Sequence, residues 1–502
     1  MRSPGQGLAT SRFLEGEENE PLRTRFYRLL FFLLALETVF SVPYRSVYLG
    51  THSPAKSWIA AAFVLLCVGL CLSVRDSIFS FLRTVLSGEK IGLRSWLGLW
   101  LLAGLFLRLL WAIAFPVALK SDGLAYFTGA ESLATTHTYS GAFWPPGSSL
   151  FLAPFVMVFG AHVWVSALCA ILLFVVTYLV SCRFAEGLAG EGAARVTGPV
   201  LALWPGYLSV VGINSKEGLL AFLLVSAMLA YLRFTEAKGS DRWLWILLSG
   251  GLLGAVTLTQ PGYLFFPAVI AGFEILRTRK LLSSVVRTAV FSLALMAVVA
   301  PWTFRNYLVF HRFIPVSTNG GSVFYRANNP KANASYSPEG EIVLPKDEFE
   351  ADKVGYAEAK KWILHHPVDF TVLAVRKQVV YLGDDAIGMY ETLKRDQEPS
   401  EKLYALAKAI CNGYWLLLWS VLLLATPWIF RMRGWERWYG LCFLPLVYQW
   451  LIDSVFESGS RHHISYVAFV AMLVGIAISQ SYAPASGEHT TSGKGRSQTS
   501  VI

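Results

Sequence analysis

The sequence predicts an all-α polytopic membrane protein, and three observations carry that reading. Of its 502 residues, 54% are hydrophobic and 15% charged, against about 25% charged in an ordinary soluble domain. Mean hydropathy is +0.48. Second, about twelve apolar runs of roughly 14–21 residues recur along the chain, close to what a bilayer core demands. They lie near 27–45, 57–74, 96–115, 162–182, 194–212, 218–234, 243–259, 263–276, 284–302, 412–430, 438–456 and 463–482. Third, the basic residues alternate in side. With the N-terminus inside, the tails and the loops at 75–95, 183–195, 233–242, 277–287 and 431–437 carry 22 Lys and Arg. The short loops on the other side carry five: Arg45, Lys56, Lys120, Lys216 and Arg461. Such a bias sets orientation. The net charge of +10 is therefore a topology signal with anionic membrane lipid as its partner, and nucleic acid is not expected.

Taken in order, residues 1–26 are a polar, cytoplasmic tail without the pattern of a cleavable signal. Residues 27–95 form an accessory transmembrane hairpin, and 96–302 a transmembrane core interrupted by an outer loop at 116–161. Within that loop, Leu124, Phe127, Ala130, Leu133 and Ala134 have helical spacing and suit a helix lying on the membrane surface. Pro145 and Pro146 end it, and 148–159 is too short to span, so an interfacial or re-entrant helix is expected. The 263–276 run is short enough to be tilted or re-entrant. Residues 303–411 read as a small α/β extracytoplasmic domain. Turn-rich, strand-like chemistry opens it, and two helices follow around Pro367, with His365 and His366 at the boundary. Residues 412–482 are C-terminal transmembrane helices, and the polar 483–502 tail is expected to be disordered. The six cysteines lie in or beside apolar runs without zinc spacing. No internal repeat suggests inverted transporter halves.

The acids and bases gather at one face. Asp122, Glu217, Arg305 and Arg461 each fall at or just past the outer end of a run. A carboxylate that close to hydrocarbon is a functional-site hypothesis by default. Asp122 also reads as a solvated loop acid, but Tyr126 and Phe127 beside it favour a site. Glu217, in the break WPGYLSVVGINSKEG, fits either a substrate contact or the first turn of a helix capped by Asn214 or Ser215. Arg305 suits snorkelling or bidentate phosphate recognition, and the FIPVSTNGG segment after it offers hydroxyls and backbone amides. Near the last run stand Glu457, Arg461, His462 and His463; adjacent histidines point apart, so joint metal ligation is not expected. Arg108 is an intramembrane cation, open to snorkelling or to a lipid phosphate. Phosphate-loop, dinucleotide, nucleophile-elbow and HExxH motifs do not occur.

These pieces resemble, in order, the GT-C fold glycosyltransferases of the protein O-mannosyltransferase and aminoarabinose-transferase type. The carriers are SDGLAYFTGAESLA, FWPPGSSLFLAPFVMVFG, WPGYLSVVGINSKEGLLAFLL, LTQPGYLFF and, most specific, APWTFRNYLVFHRFIPVSTNGGSVFYRANNP. The resemblance covers roughly 96–480 and implies a GT-C-like bundle. It implies an inverting transfer of sugar from a polyprenyl-phosphate donor to a hydroxyl or amine at the outer face of a cell membrane, the acceptor being lipid, glycan or protein. Asp122 would be the base, with Glu217 as second acid. Arg305, Arg461 and His462 would bind the donor phosphate, and Tyr126, Asn306 and Asn319 would contact substrate. No cofactor is certain, and a divalent metal stays open. Two departures stand out: Gly123 follows Asp122 where many relatives have a second acid, and Ser460-Arg461-His462-His463 replaces a late Arg-Tyr pattern. A transporter or flippase of lipid-linked sugars is the alternative; it would line a midplane path with polar residues, whereas here they cluster at one end.

Overall fold

The computed structural model describes residues 22–88, 90–116, 119–335, 342–394, 401–430 and 439–481, and every regular element among them is helical. Residues 1–21 and 482–502 of the expected tails, and the expected 431–437 loop, lie outside the described residues. Nine helices among the described residues are long and apolar enough to cross a membrane, so the chain is a multi-pass helical membrane protein. They involve α1 (Leu22–Thr51), α2 (Pro54–Leu70) continued through a 3-10 turn into α3 (Arg75–Ser87), α4 (Leu93–Ala114) and α7 (Val163–Ala189). The others are α10 (Glu217–Glu236), α11 (Asp241–Thr259), α13 (Leu281–Phe310), α18 (Glu401–Ile429) and α20 (Val467–Gln480), the last entered by a 3-10 turn at His462–Tyr466. The remaining three expected runs are shorter elements. They are the broken helix α8 (Glu191–Leu203) with α9 (Pro205–Ser209), then α12 (Phe266–Thr278), and α19 (Leu444–Val455) behind a π-helical turn.

The break after α8 explains itself. Pro205 cannot donate to the helix, and the residue before a proline is pushed to extended backbone; Trp204 has φ −66° and ψ 109°. The freed carbonyls of Leu201 and Ala202 are met by Arg108 of α4, whose Nη1 donates to Ala202 O and Gly104 O at 3.1 Å and Nη2 to Leu201 O at 3.5 Å. Arg108 is wholly buried and lies over the Phe174 ring, 3.4 Å from its centroid. It therefore neither snorkels nor reaches a headgroup: it closes the C-terminus of α8, where a cation is favoured. At the other end of α8, Arg195 donates to the carbonyls of Ser87, Gly88 and Ile91. The broken segment 191–212 thus runs from the α3–α4 turn to the end of the bundle that carries Asp122.

The core centres on α20. Every residue from Val467 to Ile478 is buried, the signature of a helix apolar all round. Gly475 allows its contact with α8, since a Cβ there would lie 2.5 Å from Thr197 Oγ1. A second core joins α5 (Ser121–Thr136), α6 (Gly147–Phe159) and α7 through Phe127, Ala130, Leu152 and Val156. α6 is the short helix expected at 148–159. The buried face of α5 is Gly123, Tyr126, Phe127 and Ala130, whereas Leu124 is half exposed.

The expected small α/β domain differs in content. α13 runs to Phe310 and α18 starts at Glu401, and between them stand α14 (Gly320–Ala327), α15 (Glu348–His365), α16 (Pro367–Leu382) and α17 (Ile387–Leu393), without a strand among the described residues. The strand-like 311–319 segment gives its carbonyls to α13 side chains instead of a ladder. Asn306 Nδ2 donates to Ile314 O and Val316 O, Thr303 Oγ1 to Pro315 O, and Trp302 Nε1 to Val316 O.

Candidate active site

Three residues far apart in sequence meet at one end of the bundle. Asp122 stands in the first turn of α5, Glu217 begins α10, and Arg461 precedes the 3-10 turn into α20. The Arg461 guanidinium donates through Nη2 to Asp122 Oδ2, and its Nε lies 3.5 Å from Glu217 Oε1. Ser121 Oγ donates to Asp122 Oδ1 at 3.2 Å, from a residue held at φ +50°. The Asp122 side chain is 20% exposed and that of Glu217 only 2%. Asp122 is thus reachable by a substrate, and Glu217 sits behind it. Neither Glu217 oxygen has a hydrogen-bond partner, so the buried carboxylate is met by charge alone, from Arg461 and the neighbouring Lys216.

Gly123 is required by this packing. A Cβ at 123 would lie 2.6 Å from Asn214 O, and Asn214 Nδ2 donates to Gly123 O at 2.7 Å. A second acid next to Asp122 in sequence has no room here, and the second carboxylate comes from Glu217 instead. Neither Asn214 nor Ser215 caps α10: the N-cap position is Lys216, without a side-chain cap bond. Tyr126, one turn on from Asp122, is buried edge-on against Trp144, and burial, with the charge of Asp122, pushes its phenol well up.

The electrostatics follow from the same contacts. Burial pushes the Asp122 carboxyl up, but the charge of Arg461 and its hydrogen bond, helped by Lys216 and Ser121, outweigh it and hold the group below the usual carboxylate range. Burial acts against the Arg461 charge, and the Glu217 and Asp122 carboxylates reverse this and push its pKa up. Lys216 is lowered by burial, with Glu217 opposing and Arg461 adding to the effect.

The other expected site residues are placed differently. Arg305 Nη2 donates to Tyr139 O and its Nη1 to Asn306 Oδ1 at 3.0 Å, while the guanidinium packs on Trp302. It clamps the turn after α5. Asn306 is wholly buried, its amide engaged by the 314–316 carbonyls. Asn319 accepts from Ser317 Oγ at 2.9 Å, at the start of α14. His462 Nδ1 lies 3.0 Å from Asp453 Oδ1, whereas His463 Nε2 lies 2.7 Å from Asp385 Oδ1, so the two rings do face apart. Among the described residues no group of three His, Cys, Asp or Glu side chains is arranged to hold a metal ion. Lys216 is the residue the sequence did not single out. Beside the acids, its ammonium makes no hydrogen bond or ion pair with the described residues.

Residues 144–304 match the family model of dolichyl-phosphate-mannose-protein mannosyltransferases. The match falls within the stretch, 96–480, over which the motifs resemble that family. It spans α6, α8 with α9, Glu217 and α13 as far as Phe304. No curated protein sequence matches the chain. Among solved structures, the oligosaccharyltransferase AglB from Archaeoglobus fulgidus, in complex with an inhibitory peptide and a dolichol-phosphate, is similar at 12% identity, with a TM-score of 0.48, over 77% of this chain and 50% of that one. ArnT from Cupriavidus metallidurans bound to undecaprenyl phosphate is similar at 14% identity, with a TM-score of 0.39, over 77% and 78%. The chain spans about half the length of the AglB chains it matches.

Proposed function

We propose that the protein is an inverting glycosyltransferase that moves a sugar from a polyprenyl-phosphate donor to an acceptor hydroxyl or amine at the outer membrane face. The observation that carries this reading is the cluster of Asp122, Arg461 and Glu217, set beside a mannosyltransferase-type segment. The proton of the acceptor passes to the Asp122 carboxylate as the acceptor atom bonds to the anomeric carbon. The carbon–oxygen bond to phosphate breaks, and the lipid phosphate leaves with both electrons. Glu217 fixes Arg461, Arg461 fixes Asp122 as an ionised base, and the unpaired Lys216 ammonium meets charge growing on the phosphate. Arg305 holds the 139–141 turn in this scheme and does not grip the donor.

The test is transfer from radiolabelled polyprenyl-phosphate sugars to membrane extracts by the purified protein, wild type beside Asp122→Asn. A general base is worth roughly a hundred- to ten-thousand-fold, and we expect a loss of that order in the variant. Equal product from both would remove Asp122 from the chemistry. Labelled lipid crossing the bilayer without product would favour the transporter.

A further inference from the structure

Arg461 is the first of three consecutive residues that each face an aspartate from a different part of the fold. Arg461 Nη2 donates to Asp122 on α5, and His462 Nδ1 lies 3.0 Å from Asp453 Oδ1 on α19. His463 Nε2 lies 2.7 Å from Asp385 Oδ1, between α16 and α17. The last pair is the most enclosed, its side chains 2% and 0% exposed. Asp385 is held from three sides. Its Oδ2 accepts from Trp204 Nε1 at 2.9 Å, at the break after α8, and its backbone N–H donates to Asn412 Oδ1 of α18 at 2.8 Å. Gly206 leaves room for the carboxylate, since a Cβ there would collide with Oδ2. The second ring nitrogen of His463, Nδ1, lies 3.2 Å from the Tyr381 carbonyl. The ring itself stacks on Trp415, with centroids 4.5 Å apart and planes at 20°.

These contacts fix the protons. A neutral imidazole has one N–H, yet both ring nitrogens of His463 face oxygens. The Tyr381 carbonyl only accepts, so Nδ1 donates to it, and a second proton lies between Nε2 and Asp385 Oδ1. A buried polar pair with every partner in place holds one geometry, because opening it strands a charge away from water. Arg461 is held far less firmly. Its side chain is 34% exposed, and a long stem keeps its head in one place only at an entropic cost. The turn beneath it is anchored on one side by Ser458 Oγ, which donates to Lys377 O at 2.7 Å, and on the other by His463. We propose that His463 and Asp385 are the positioning pair of the site: by locking the 3-10 turn they aim Arg461 at Asp122 and Glu217. The pair acts through Arg461, being too enclosed to meet a substrate itself. Its consequence for sugar transfer rests on the glycosyltransferase reading; the aim of Arg461 does not.

The test reads Arg461 directly in the purified full chain. Phenylglyoxal modifies accessible guanidinium groups, and mass spectrometry of the peptides gives the rate at Arg461 alone. His463→Phe removes both ring donors. Arg461 should then react about tenfold faster, the scale of one lost charged hydrogen bond. Transfer from labelled polyprenyl-phosphate sugars should lose about ten- to a hundredfold in kcat with KM little changed, the scale of a misplacement of about 1 Å. His463→Gln keeps an N–H toward Asp385 and should restore much of both. A role in stability alone would lower the melting temperature of His463→Phe while Arg461 reacts as in wild type and kcat per folded molecule stays put; that outcome overturns the proposal. If His463→Phe fails to fold because the Asp385 charge is stranded, Asp385→Asn combined with His463→Phe removes that charge and still offers Trp204 an acceptor. The same two readings on the double variant then decide. Faster Arg461 modification beside a wild type that transfers nothing would keep the positioning pair and sink the transferase. Transfer by wild type with unchanged Arg461 modification in the folded variants would do the reverse.

Discussion

Asp122 is the residue on which chemistry turns, and its surroundings set the pH at which it works. Arg461 outweighs burial and holds the Asp122 carboxyl below its usual range, which is centred near 3.9. A base must be ionised, so activity is expected to persist as pH falls and to fail only through that depressed value. Arg461→Gln removes the cation and leaves Glu217 as an unneutralised neighbour. Burial and like charge then both push Asp122 up, and the acidic limb of kcat/KM against pH should move to higher pH. A limb that stays in place would show that Arg461 does not set the base. The positions of Asp122, Glu217 and Arg461 were legible because charged residues at the ends of apolar runs are few. Their pairing was not, since it depends on a contact across 339 residues. The same holds for Arg305, whose partner is the Tyr139 carbonyl, and for Lys216, whose place beside Arg461 and Asp122 only the fold shows.

At the scale of elements, two close contacts hold the site in shape. The first is α5 against the break before α10. Gly123→Ala drives a methyl into the Asn214 carbonyl, and overpacking of this kind costs about 1–3 kcal/mol. We expect a lower melting temperature and a fall in kcat, because Asp122 rides on α5 as it is pushed away from Asn214. The second joins α16, α14 and α19. Lys377 is fully buried, and its Nζ donates to Asn328 Oδ1 at 2.9 Å and to Val455 O, at the end of α19, at 3.2 Å. Burial brings the Lys377 ammonium down to about 7, against the pull of Asp453 and Glu457. Unfolded, it titrates near 10.4, so between about 7 and 10.4 the unfolded chain binds more protons and stability rises with pH. Lys377→Met should lose that slope: thermal melts at pH 7 and pH 9 should show wild type gaining on the variant. A constant gap would contradict it. The helices around Pro367 were readable from proline chemistry. The missing strands were not, because only the fold shows that α13 side chains take up the 314–316 carbonyls.

For the whole molecule, the expected orientation depends on counting the broken segment as a pass. α8 alone is 13 residues, about 20 Å long, well short of a ~30 Å hydrocarbon core. Length by itself would make it a re-entrant element, and then the loops before α7 and after α10 would share one side. The contacts say otherwise. Arg195 near its start bonds the α3–α4 turn, whereas the segment leads at its far end to Glu217, against Arg461 and Asp122. Hydrophobic periodicity cannot separate these cases, because Pro205 interrupts the run in either. The charge bias supports the crossing: Lys238 and Arg242 then fall on the basic side, and Asp122 on the side poor in Lys and Arg. The consequence is measurable with a membrane-impermeant maleimide on intact cells, after Cys67, the exposed native cysteine, is changed to Ser. Thr135→Cys, exposed on α5, should label from outside. Lys238→Cys, exposed after α10, should label only once the membrane is opened. Labelling of both from outside would mean that 191–212 turns back, and labelling of Lys238→Cys alone would place the Asp122 cluster on the cytoplasmic face, away from any donor presented outside.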